Sequence, residues 1–356
     1  MDGGLPESRV GIAGWGTYVP RLRVRAEEFA RVWGHPPGGW LGLGVSEKSL
    51  AWIDEDAVTM GVEAALGALA RACIEGREVG AVFFGTESKP YAVKPSAAVV
   101  AEALGITPHT MASDLEFACR AASEGLRASI GLVASNMVKY SLVIGSDTAQ
   151  ANPGDVLEFT ASSAAVAILV GPAESSAAIF EASHSYVTDT TDFWRRSTAL
   201  FPLHAEGFTG EPAYFAHIIG AVRGLLEKTG LRPGDFDFVV FHQPNARFPL
   251  RVAERLGFPR EKVEPGLVVS RIGNSYNASA LMGLARILEI AEPGSRILLA
   301  PFGSGAGADA YSIVLTERAR RAREAAPKVD DWLSKGVVVD YAVYARARGL
   351  LRRVRW

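Results

Sequence analysis

The chain alternates short runs rich in β-branched and aromatic residues with longer segments whose apolar residues recur at helical spacing, and it does so twice in the same order. Runs at 80–85 (GAVFFG), 140–145 (YSLVIG), 164–171 (AAVAILVG), 177–187 (AAIFEASHSYV), 236–242 (FDFVVFH), 295–303 (SRILLAPFG) and 309–317 (DAYSIVLTE) read as buried strands. Between them 54–72, 96–105, 124–138, 213–230, 248–257 and 278–291 read as helices, often ending at glycine. Such alternation predicts an α/β protein with its sheets buried between helical layers. In the first half a helix leads to VFFG and the acidic TES, a strand ends at Cys119 before a helix, and LVIGSD leads to the hairpin ASSAAVAILVG. In the second, a helix leads to FVVFH and QPN, RIGNSYNAS opens a helix, and ILLAPFGSG leads to GAGADAYSIVL. A duplication of this length predicts two pseudo-twofold α/β units whose facing strand ends share one site. The linker composition of GPAESS puts the boundary near 171–176, giving halves at 1–172 and 173–356.

Composition narrows the function. A chain of 356 residues, 48% hydrophobic and 21% charged, has ample material for a large core. Its formal net charge of -2 removes the broad positive excess that nucleic-acid or anionic-membrane binding needs, so neither partner is expected. The start MDGGLPESRV has no basic region followed by an apolar one, and no apolar run is long enough to span a membrane; a cytoplasmic location is expected. Two cysteines outside any CxxC pair argue against a disulfide framework or a structural zinc, and no metal or cofactor is expected. At the end, ERARRAREAAPK reads as a solvated charged helix, and the basic, aromatic YAVYARARGLLRRVRW as a docking segment.

The chemistry-bearing candidates start with Cys119 in DLEFACRAASEGL. A thiol at a helix start feels the partial positive charge of the N-terminus, which favours the thiolate. Alone, Cys119 is equally open to being a small core residue at a tight turn. Cys73, inside a helical pattern, reads as a buried thiol. His242 in FHQPN ends an apolar strand and is a candidate acid or base, with structural use the usual alternative. Asn274 in RIGNSYNAS is also an ordinary helix cap, and Glu87 in FFGTESKPY is also an ordinary loop residue, although the repeat sets Glu87 opposite the position of His242. The turn GSGAGADA at 303–310 offers backbone N–H groups to an oxyanion, but it lacks the strand-to-helix context of a phosphate loop.

Taken in order, GTESKPYAVKPSA, DLEFACRAASEGL, FTGEPAYF, FHQPNARFP, GNSYNAS, PFGSGAGADAYS and VDYAVYARAR resemble the thiolase superfamily, and within it hydroxymethylglutaryl-CoA synthases of the archaeal type, over nearly the whole chain. Cys, HQxN and GN are shared with the ketoacyl synthase III branch. Glu87, the Phe-Ala before Cys119 and the DFWR to FTGEPAYF segment favour the synthase. The resemblance implies a thiolase-like fold of two duplicated halves in five αβαβα layers, usually a homodimer. It implies that Cys119 takes an acetyl group from acetyl-CoA, that Glu87 deprotonates its methyl group, and that the enolate attacks acetoacetyl-CoA with help from His242. It further implies an oxyanion site at the N–H groups of Cys119 and Ser304, an orienting Asn274, and CoA or acyl contacts from Ser123, Thr160, Thr209, Arg247 and Arg251. CoA thioesters would be substrates, with no cofactor. Two departures affect the CoA contacts: Arg247 stands where the family pattern has lysine, and Gly207 where a basic residue precedes Thr209. Archaeal relatives also imply a complex with an acetoacetyl-CoA thiolase and a zinc-containing OB-fold linker protein. The alternative is a ketoacyl synthase III-like enzyme that decarboxylates a malonyl donor and leaves Glu87 idle.

Overall fold

The structure, a computed structural model, describes residues 9–34, 42–148 and 151–351. Its strands are β1 (Val10–Tyr18), β2 (Leu22–Arg25), β3 (Glu47–Leu50), β4 (Val79–Gly85), β5 (Met111–Leu115), β6 (Tyr140–Thr148) and β7 (Ser163–Pro172) in the first half. In the second they are β8 (Ala178–Val187), β9 (Phe193–Trp194), β10 (Leu203–His204), β11 (Phe238–Phe241), β12 (Arg296–Ala300), β13 (Phe302–Gly303), β14 (Gly307–Leu315) and β15 (Val337–Val339). The main sheet runs β11-β12-β14-β8-β1-β7-β6-β4-β5, with β13 beside β14. β4 is parallel to β5 and β6, and β7 returns antiparallel between β6 and β1. The second half repeats this with β11 parallel to β12 and β14 antiparallel between β12 and β8. The halves join where Gly11 and Ile12 of β1 pair with Ile179 and Ala178 of β8.

Alternation along these strands produces five layers. Val143, Val166 and Ile168 of the first half and Ile297, Leu299 and Ile313 of the second face a shared middle layer, the helices Ala121–Ala134 and Ser279–Ile290. The residues between them face outward. Leu142, Ile144, Ala165 and Ala167 pack on the helices Ala57–Ala72 and Ser96–Ala103. Val239, Phe241, Leu298 and Ala310 pack on Ala216–Thr229 and Arg247–Leu256. This is the thiolase-like αβαβα arrangement.

The expected strands and helices all form, with ends shifted by a few residues. β1, at the centre of the sheet, carries no strand signal of its own because Gly11, Gly14 and Gly16 interrupt its apolar pattern. Gly14 and Gly16 admit the helix Ala57–Ala72 against the strand backbone, while Gly11 makes room for Ser176 and the Ala178 carbonyl of β8. A Cβ on Gly16 would lie 1.9 Å from the Ala64 carbonyl oxygen, and one on Gly14 2.1 Å from that of Ala68. Gly16→Ala is therefore expected to destabilise the fold by about 3 kcal/mol through forced backbone separation, read as a lower denaturation midpoint in guanidinium chloride.

Two expectations change. Cys73 is exposed at the left-handed C-cap of its helix (φ 55°) instead of being buried in the core. The charged segment after 317 is also not simply solvated, since Ala319 and Ala322 pack into the core. Beyond it the chain crosses back to the first half: β15 pairs in parallel with β2, and Phe29 meets Tyr341 and Tyr344 edge-on at 5.5 and 5.1 Å. Beneath them the buried Lys48 ammonium lies 4.4 Å from the Tyr344 ring centroid and donates to the Glu158 carbonyl oxygen. The Glu158 carboxylate accepts from Trp33 Nε1, Tyr341 OH and the Gly154 N–H at 2.8 to 2.9 Å, anchoring the 151–162 loop that reaches the site. The last tail residues, 352–356, lie outside the described residues. Among the described residues no helix is long and apolar enough to cross a membrane.

Candidate active site

The site forms where the two halves face each other. Glu87 follows β4, and His242 follows β11, which takes the place of β4 in the second half. Cys119 and Asn274 precede the two middle-layer helices. One buried carboxylate, Asp147 at the end of β6, holds the pieces together. Its Oδ1 accepts from Thr86 Oγ1, the Glu87 N–H and Ser88 Oγ at 2.7 to 2.9 Å, and its Oδ2 accepts from the Asn277 N–H and Nδ2 at 3.0 and 2.9 Å. Asn277 Oδ1 in turn accepts from the Ala122 N–H at the start of the cysteine helix. The Glu87 loop, the Cys119 helix and the Asn274 segment are thus set by one network. Asp147→Ala strands five donors and is expected to cost about 3 to 5 kcal/mol, measured as unfolding free energy in denaturant.

Cys119 is 8% exposed, and the preceding Ala118 has φ +47°, a strained turn that brings the thiol into the cavity. Its side chain lies beside that of Glu87, close enough for each to shift the other's titration. Burial, together with the neighbouring Asp147 charge, pushes the Glu87 carboxyl up to about 8. Burial and the charges of Glu87 and Asp147 likewise raise the Cys119 thiol well above its ordinary value. The expectation of a thiolate stabilised by the helix N-terminus is therefore corrected: desolvation and two carboxylates outweigh the dipole. At rest the pair is a protonated, buried thiol beside a carboxyl group that keeps its own proton up to about pH 8.

Cys119 opens into a cavity of about 590 Å³ that is also lined by His242, Asn274, Ser304, Thr160 and Thr209. The His242 ring is buried, with Nδ1 lacking a hydrogen-bond partner, and desolvation lowers its pKa to about 3, so the imidazole is neutral. Its carbonyl oxygen accepts from Tyr214 OH at 2.7 Å. The rest of the HQPN run is structural: Gln243 bonds Gly266 and Val268, and Asn245 Oδ1 caps the next helix by accepting from the N–H groups of Arg247 and Phe248. Asn274 Oδ1 accepts from the Tyr276 N–H, which turns its amide NH₂ toward the cavity. The glycine-rich turn is fixed by Gly305 (φ +89°), whose N–H donates to Asp192.

Three expected binding residues stand elsewhere. Ser123 is buried behind Cys119 and donates to Asp309, which is paired with Arg120 at 2.7 Å; that bond commits the hydroxyl to the core. Arg251 is exposed and paired with Glu211 at 3.3 Å, alongside Arg255. Arg247 is exposed at the start of its helix, between the cavity-lining Asn245 and Phe248, and does not itself line the cavity. Gly207 lies where side-chain surroundings fall outside the description.

Sequence reasoning missed Asp147, Asn277, Phe193, Tyr214 and the pair His204–Asp155, whose Nε2 and Oδ1 are 3.0 Å apart at the cavity wall. The one local signal was Asp147 at a strand end in LVIGSD. Glu87 lines a second cavity, of about 380 Å³, that shares Phe193, Tyr276 and Ser304 with the first. Among the described residues no group of three or more His, Cys, Asp or Glu side chains could hold a metal ion.

The family described as 3-oxoacyl-(acyl-carrier-protein) synthase III C terminal matches residues 226–315. The chain is 62% identical over 351 residues to a hydroxymethylglutaryl-CoA synthase of Aeropyrum pernix, covering 99% of this chain and 97% of the relative. It is 53% identical over 344 residues to one of Pyrococcus furiosus, covering 96% and 97%. Its fold superposes on MvaS in complex with 3-hydroxy-3-methylglutaryl coenzyme A with a TM-score of 0.86 at 26% identity, over 96% of this chain and 91% of that one. A 3-oxoacyl-(acyl carrier protein) synthase III from Pseudomonas aeruginosa superposes at 0.79 and 21% identity, over 87% and 99%, and so shares the fold.

Proposed function

This chain belongs to the hydroxymethylglutaryl-CoA synthase family, acyl-transferring condensing enzymes, and from that premise we propose that it joins acetyl-CoA to acetoacetyl-CoA through an acetyl group carried on Cys119. The observation that carries the reading is the contact of Glu87 with Cys119 at the edge of a cavity also lined by His242 and Asn274. Ionised Glu87 first accepts the thiol proton as Cys119 takes the acetyl group and CoA departs as a thiol. Free of that proton, the same carboxylate removes one from the acetyl methyl group, and the enolate carbon attacks the ketone of acetoacetyl-CoA. The thioester oxygen lies toward the N–H groups of Cys119 and Ser304. A neutral His242 stabilises the new alkoxide by hydrogen-bond donation and not as an imidazolium; the alkoxide then takes up the methyl proton held by Glu87, which returns that group to the carboxylate, and Asn274 orients the acceptor. Hydrolysis then frees 3-hydroxy-3-methylglutaryl-CoA and restores the thiol, supplying the mevalonate route to isoprenoids.

In the decarboxylating alternative Cys119, His242 and Asn274 suffice and Glu87 is idle, which its contact with the thiol disfavours. The test mixes the protein with both thioesters and follows thiol release together with loss of the acetoacetyl enolate absorbance. Coupled, stoichiometric changes are expected. No turnover, alongside carbon dioxide release from a malonyl thioester, would overturn the reading. Thr160 and Thr209 are proposed to contact the bound acyl-CoA arm and Arg247 its phosphates at the outer end, where a guanidinium grips them bidentately. A homodimer, docking to a thiolase through an OB-fold linker and residence in the cytoplasm complete the proposal.

A further inference from the structure

The reaction just proposed consumes one water and must exclude all others while the enolate exists. The two catalytic carboxyl and thiol partners open into different spaces. Cys119 lines the larger cavity, whose walls are largely apolar (Leu157, Tyr214, Phe248, Phe302) and which receives the acyl-CoA arm. Glu87 lines the smaller one with Thr86 and Ser88, and that space is also lined by the exposed Glu116 and Trp194. Beside them stands the exposed Arg195, a cation whose charge acts to lower the Glu87 pKa. Phe193 and Tyr276, edge to face at 6.2 Å, partition the two spaces together with Ser304. Glu87 Oε1 is buried without a hydrogen-bond partner.

We propose that the smaller cavity is a water port: it delivers the hydrolytic water to the Cys119 thioester from the Glu87 side while the larger cavity is filled by substrate. A space of about 380 Å³ holds on the order of ten waters. With a pantetheine arm in the larger cavity, the approach past Tyr214 and Phe248 is closed, and the Glu87 side remains. In the final step the water oxygen bonds to the acyl carbon as Glu87 accepts one water proton. The bond to Cys119 Sγ breaks, and Glu87 returns that proton to the sulfur. The new carboxylic acid ionises, releasing the second water proton. Phe193 and Tyr276 keep this water from the acetyl-enzyme until the larger condensed acyl group displaces them.

The inference rests on the proposed condensation, so wild-type protein making hydroxymethylglutaryl-CoA is the control; its failure would overturn that reading and not the port alone. Glu116→Trp and Ala306→Leu narrow the port without touching the larger cavity. Both are expected to keep the single-turnover burst of CoA from acetyl-CoA, to lower steady-state turnover about tenfold, and to accumulate the condensed acyl group on Cys119 by intact-protein mass. Phe193→Ala breaches the partition and is expected to raise hydrolysis of acetyl-CoA in the absence of acetoacetyl-CoA. If neither port variant accumulates the condensed acyl-enzyme and Phe193→Ala adds no acetyl-CoA hydrolysis, the water port is wrong.

Discussion

Cys119→Ala protein is expected to lose turnover by about 10⁴-fold or more, because without the sulfur there is no acyl carrier and the direct condensation of two thioesters has no stabilised route. The substitution removes one atom at the edge of a cavity from a residue 8% exposed, and the strained turn at Ala118 and the Asp147 network do not depend on it. The fold should therefore be kept, with an unchanged thermal midpoint and unchanged CoA titration. Intact-protein mass after mixing with acetyl-CoA separates the outcomes: wild type gains an acetyl group, the variant none. Residual acetylation of the variant at another residue, with turnover retained, would remove Cys119 from the mechanism.

Glu87→Gln should separate the steps. The variant is expected to acquire the acetyl group over long incubation but to condense about 10³-fold more slowly, the usual scale for removal of a positioned base. In wild type the condensation rate should rise with pH toward a plateau with its midpoint near the raised carboxyl value of about 8, and the variant should lose that limb. The same group costs stability. Below pH 4 both folded and unfolded chains hold the Glu87 proton and nothing is lost. As pH rises the unfolded chain ionises first, so the native state is disfavoured increasingly until about pH 8, where the folded carboxyl also ionises. Glu87→Gln should thus be more stable than wild type at pH 8 and equal to it near pH 4, read from thermal midpoints at both pH values. A variant that condenses at the wild-type rate would make Glu87 a bystander.

The α/β class, the duplication and the reactive side chains were legible because each leaves a local trace: periodicity for strands and helices, glycine and proline for their ends, and Cys119, Glu87, His242 and Asn274 at element termini. β1 left none, since Gly14 and Gly16 are explained by helix residues 54 and 48 positions further along the chain, Ala68 and Ala64. Ser123 looked available and is spent on Asp309, a partner 186 residues away. Arg251 looked like a phosphate ligand and faces Glu211.

The order of residues along this chain, by itself, determined which chemical groups the protein carries and which elements deliver them. The tertiary structure alone decided their protonation and their company. Asp147 and Asn277, from opposite halves, bring the glutamate loop and the cysteine helix together. Burial between those halves then keeps a proton on a thiol and a carboxyl that would each behave ordinarily in water. Desolvation is a property of everything packed around a group, and no stretch of sequence around Cys119 contains it.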